Sequence, residues 1–160
     1  MQPFKLTLEQ ASAAISSGEL SPVELAESSL TRMEACEPSL NAMVTVTFDK
    51  ALEQARRAEQ EIAAGQYRGP LHGIPYGAKD LYKTAGIRTT SSSKVGQNHI
   101  PDSNSATVER LENAGMVLTG KTHTHEFAFG GVTPTTRNAW DVSRIPRGSS
   151  GGTGAGVAAG

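Results

Sequence analysis

The chain has 160 residues, of which 37% are hydrophobic and 19% charged, and 15 basic side chains meet 16 acidic ones for a net charge of −1. That composition belongs to a globular chain long enough for one core burying roughly 70% of its unfolded surface. It offers no basic stripe for direct nucleic-acid binding, no apolar run near the ~18 residues of a membrane span, and in Cys36 a single thiol that cannot build a disulfide framework.

Met1 to Lys5 leads into a polar segment rather than an apolar signal sequence, so a cytoplasmic protein is expected. Thr7-Leu8-Glu9-Gln10 is a capping-box pattern that predicts a helix to about Ser17, with Gly18 as its stop. Ser21, Pro22 and Glu24 form a second helix start, and Leu25, Leu30 and Met33 carry its apolar face to about Cys36. From Asp49 to Ala64 the residues Ala51, Leu52, Ala55, Ala58 and Ile62 share a helical face, and Gly65 terminates it. Residues 1–65 therefore read as an N-terminal helical segment packed outside something else.

From Gly69 the character changes. Ile74 to Ala78 and Gly86 to Thr90 carry strand and loop signals, a helix is expected over Ser105 to Ala114, and Met116 to Thr119 is a short strand candidate. Helix, glycine and short strand in that order are the rhythm of an α/β fold. Residues 66–160 are thus expected to form the first part of an α/β core on a mixed sheet, within a single incomplete domain.

Two pattern matches fail on context. Gly115 to Thr122 fits the phosphate-loop spelling, but its four intervening residues are themselves the predicted strand, leaving no turn to cradle phosphate. Gly154 to Ala159 fits a dinucleotide fingerprint with no apolar strand before it. His123, His125 and Glu126 hint at a metal, yet no second ligand pair completes four-fold coordination, so structural roles are favoured.

Two further segments resist a bland reading. In Gly73-Ile74-Pro75-Tyr76-Gly77-Ala78-Lys79-Asp80 a lysine follows a run of small and apolar residues, where a buried strand would put it. In Gly148-Ser149-Ser150-Gly151-Gly152 adjacent serines are framed by glycines that permit close backbone approach, ahead of an Ala/Val run suited to a packed helix. Together these segments resemble the amidase signature family, whose lysine motif GIPxxxKD and serine-glycine core they match. Lys121 to Gly131, with Glu126-Phe127-Ala128, resembles a third family segment, as do Thr136-Arg137-Asn138 and Trp140-Asp141. The resemblance covers essentially the whole chain. Arg147 departs from it, since the family favours glycine there, and a bulky cation at that point is expected to shift the loop or narrow the pocket.

The resemblance implies a carbon–nitrogen hydrolase acting on linear carboxamides, with no cofactor and no metal. Lys79 would be the base and Ser149 a bridging serine held by a cis peptide, with Ser150, Gly151 and Gly152 completing the active-site loop. The nucleophilic serine would lie further along, in a segment resembling D-x-GGS-x-R that these 160 residues do not contain, so the chain alone is expected to be inactive. A small-molecule amide is the implied substrate, with a possible homodimer or amidotransferase partner subunits. Two alternatives stand beside this: the glutamine amidase subunit of aspartyl/glutamyl-tRNA amidotransferase, releasing ammonia from glutamine, and a non-catalytic interaction module with a large exposed apolar face. The chemistry requires a neutral lysine. Poising one near pH 7 from its reference of ~10.4 takes about 4–5 kcal/mol, which burial supplies by penalising the ammonium. Asp80 would oppose this if it faced Lys79, so it is expected to point elsewhere or bond backbone groups.

Overall fold

The computed structural model describes residues 2–160. Both predicted capping boxes form. The Thr7 hydroxyl accepts from Gln10 N at 3.2 Å while the Gln10 side chain accepts from Thr7 N at 3.0 Å, starting α1 (Leu8–Ser17). Ser21 and Glu24 make the same exchange at 3.0 Å each, starting α2 (Pro22–Leu40). Helix α2 does not stop at Cys36. It continues past Pro38, because Leu40 is buried against Ala42 and Ala155, and it ends at Asn41 in the left-handed conformation. The Glu37 carboxylate then accepts from the backbone N–H of Ala42 and Met43, which fixes the exit of the chain.

That exit leads into β1 (Met43–Val46), so the mostly helical first stretch also contributes a strand. Next come α3 (Phe48–Ala63), β2 (Pro75–Lys79), α4 (Ala106–Asn113) and β3 (Val117–Thr122). The residues from Gly86 to Thr90 form no strand and remain loop. Strand β3 is longer than Met116–Thr119 because Gly120 carries it onward: with φ +156 and Thr45 O where a Cβ would stand, only glycine lets β1 close on this strand. Helix α5 (Gly151–Ala159) closes the chain.

The strands form one mixed sheet in the order β1-β3-β2, with β1 antiparallel and β2 parallel to β3. Ala11 and Ile15 of α1 pack with Leu25, Ile74 and Met116, while Ala26 and Leu30 of α2 meet Ala51, Ala55 and Val117. Small alanines at these crossings let α2 and α3 lie close to β3. Cys36 is half-buried and packs against the cluster of Leu40, Ala42 and Ala155. Among the described residues, no helix is long and apolar enough to cross a membrane.

Pairing sets which side chains share a face. Lys79 stands opposite Thr122 and Ala78 opposite Lys121. Strand alternation therefore sends Lys79 and Thr122 to one face, and Ala78, Asp80 and Lys121 to the other.

Candidate active site

Lys79 is the last residue of β2, and α5 packs across β2 and β3 on its face. The Thr122 and Thr153 hydroxyls, 2.8 Å apart, tie the helix to the sheet. Ser149 lies two residues before α5, and the Lys79 ammonium donates to its Oγ at 2.7 Å across 70 residues of sequence. Burial holds Lys79 below the ordinary lysine range by penalising its charge. Within these 160 residues Lys79 is half-buried.

The serine loop is gripped from two sides. Ser149 O accepts from His125 N at 2.9 Å and from the Thr133 hydroxyl at 3.3 Å, and Gly148 N donates to Gly131 O. The Gly148–Ser149 peptide is cis. Downstream, Gly151 N donates to Thr133 Oγ1 and Gly152 N to His123 O, both at 3.0 Å. Two glycines are required by space. A Cβ on Gly148 would stand 2.7 Å from Val132 C, and one on Gly152 would press on the backbone of Ala42 and His123. Ser150 is exposed at the helix start and its side chain makes no capping bond. At Arg147 the backbone bridges Val132 and the side chain is exposed.

Asp80 turns away from Lys79. Fully buried, it accepts from Thr90 N at 3.0 Å, from the Thr90 hydroxyl at 2.5 Å and from Ser92 N at 3.2 Å. Beside it lies Lys121, also fully buried, with its Nζ 3.7 Å from Asp80 Oδ1. Burial pushes Lys121 down to about 8, and the Asp80 carboxylate partly offsets that. His123 meets Ser92 Oγ at 3.3 Å through Nδ1, and His125 meets Glu126 O. Among the described residues no group of three or more His, Cys, Asp or Glu side chains is placed to hold a metal.

Sequence reasoning singled out Lys79 and the 148–152 loop, and the fold brings Lys79 and Ser149 together. It missed Thr133, which serves both Ser149 and Gly151, and the Asp80–Lys121 pair. The run Thr89-Thr90-Ser91-Ser92-Ser93 was an available signal. Five consecutive hydroxyl residues in a loop suggest buried acceptors nearby, and Thr89, Thr90 and Ser93 are indeed buried.

Residues 24–160 match the family model described as Amidase. The A subunit of glutamyl-tRNA(Gln) amidotransferase from Carboxydothermus hydrogenoformans is 46% identical over all of this chain and 34% of its own length. Its counterpart from Heliobacterium modesticaldum is 48% identical over 89% of this chain and 30% of its own. Among solved structures, the native peptide amidase of Stenotrophomonas maltophilia superposes with a TM-score of 0.85 at 34% identity, covering 92% of this chain and 33% of that one. The chain thus spans about a third of the length of the curated relatives it matches.

Proposed function

The chain belongs to the amidase signature family of hydrolases, and from that premise we propose that it supplies the base and the bridging serine for cleaving a carboxamide. The observation that carries this reading is the 2.7 Å contact between Lys79 Nζ and Ser149 Oγ. A serine hydroxyl is a weak nucleophile, so a base must take its proton during attack on an unreactive amide. When Lys79 is neutral, the contact reverses and the Ser149 hydroxyl donates to the amine. Ser149 then accepts the proton of an attacking serine while passing its own to Lys79. Run backwards, the relay protonates the departing amine, and water releases the acid.

The attacking serine would come from beyond the matched third of the protein, as would the oxyanion hole. Residues 1–65 and 66–160 would be the outer helices and first core portion of one larger unit. Mixed with a linear carboxamide, the 160-residue chain alone should show no turnover above an equimolar Lys79→Ala control, whereas the full-length protein should lose turnover on that substitution. Lys79-dependent turnover by the 160 residues would overturn the division of labour. Full activity of the full-length Lys79→Ala variant would overturn the function itself.

A second, finer reading is favoured by the 46% and 48% identities to amidotransferase subunits: glutamine as the amide and ammonia as the product passed to a partner. Glutaminase turnover that rises on adding partner subunits would support it, and indifference to them would favour a stand-alone amidase. Exposed Phe129, Trp140 and Val157 suit either partner subunits or the remaining chain as cover.

A further inference from the structure

The side of the sheet opposite Lys79 carries a charged pair with no part in the proton relay. Lys121 Nζ donates to Tyr82 O and to Thr89 Oγ1, both at 2.7 Å, and faces Asp80 Oδ1 at 3.7 Å. Both side chains have zero exposure. Buried ion pairs are poor stabilisers, because desolvation consumes most of the Coulomb gain, and hydrophobic residues of similar volume often do as well. The arrangement therefore calls for another explanation, and the bonds around it supply one.

Asp80 follows Lys79 directly and fixes the end of β2 from its far side, its N–H donating to Thr122 O. Its carboxylate gathers Thr90 N, Thr90 Oγ1 and Ser92 N. Ser92 Oγ in turn accepts from Thr124 N at 3.0 Å and meets His123 Nδ1. The segment so held provides His123 O to Gly152 N and His125 N to Ser149 O. The pair is thus joined to one catalytic partner by a peptide bond and to the other by three consecutive hydrogen-bonded steps. Lys121 closes the arrangement by binding Tyr82 O and Thr89 Oγ1 at the two ends of the intervening loop.

We propose that Asp80 and Lys121 are positioning residues that hold Lys79 and Ser149 at bonding distance from the opposite face of the sheet. This rests on the amide-hydrolysis reading above. A displacement of about 1 Å at a reacting group lowers rates roughly 100-fold, which sets the expected effect.

The test is steady-state amide hydrolysis by the full-length protein, at a temperature where circular dichroism reports every variant fully folded. Asp80→Ala and Lys121→Met should each lower kcat by roughly 100-fold with KM within about threefold, and Asp80→Asn, which keeps one acceptor oxygen, by roughly tenfold. Should the first two not fold, Thr90→Val decides the matter: it removes one bond to Asp80 and keeps the side-chain shape, with kcat expected roughly tenfold lower. Folded variants with kcat within threefold of the parent would overturn the proposal, because a merely structural pair would lower the unfolding temperature and leave kcat alone. Lys79→Ala in the same series keeps the two readings apart. Its retention of activity would sink the amide-hydrolysis reading, whereas its loss beside active Asp80 and Lys121 variants would sink only the positioning role.

Discussion

Adding one methyl group at Gly152 should unseat the start of α5 and destabilise the fold. Its Cβ would press on Ala42 O and His123 N and lie 2.8 Å from His123 O, all of them backbone atoms. These atoms cannot rotate away. Either the chain after β3 shifts, or the start of α5 lifts by about 1 Å to reach ordinary contact. The first breaks His123 N to Ala42 O, now 2.8 Å, and the second breaks Gly152 N to His123 O, now 3.0 Å. Overpacking a buried position costs about 1–3 kcal/mol, and a lost buried hydrogen bond about 1–3 kcal/mol more. Alanine's better helix propensity returns about 1 kcal/mol. The net is a loss of about 1–5 kcal/mol, or an unfolding temperature lower by roughly 2–20 °C for a domain of this size. Gly154→Ala is the matched control: it sits in the same helix, its Cβ meets nothing within 4 Å, and its stability should hold or rise by up to about 1 kcal/mol. Thermal melts of the two variants decide. If Gly152→Ala melts with Gly154→Ala, the claim that α5 is seated by close backbone approach is wrong.

The buried lysine makes stability depend on pH. Lys121 titrates at about 8 in the fold and near ~10.4 when unfolded, so between those values the unfolded state binds more protons and stability rises with pH. The rise should reach at most about 3 kcal/mol in urea titrations, and Lys121→Met should remove most of it, leaving any share due to Lys79. Above about 10 the trend should reverse, because burial holds the Tyr76 hydroxyl protonated in the fold after the unfolded chain would have lost that proton. Replacing the exposed Arg147 by glycine should change stability by no more than about 0.5 kcal/mol in the same assay, as is usual for exposed side chains.

What the sequence disclosed depended on how local the cause was. Caps at Thr7 and Ser21 act within three residues, and both were readable. The run of α2 past Pro38 was not, because its cause is Leu40 packing on Ala155, far along the chain. Lys79 and Ser149 were readable only as motifs. Nothing local says that residues 70 apart will touch, and the parallel pairing of β2 with β3 is what aims the lysine toward α5. The same pairing hid Lys121. A lysine after glycine reads as surface, and only the register that places it opposite Ala78, facing Asp80, turns it into a buried charge.

The proposed amide cleavage requires a base that gives up its proton more readily than an ordinary lysine, and the Lys79 side chain can report this itself. With 13C-labelled lysine, its ε-carbon should titrate clearly below ~10.4, and the signal should be assigned by its absence in Lys79→Ala. A Lys79 that titrates at the ordinary lysine value in the folded protein would contradict the mechanism at its root.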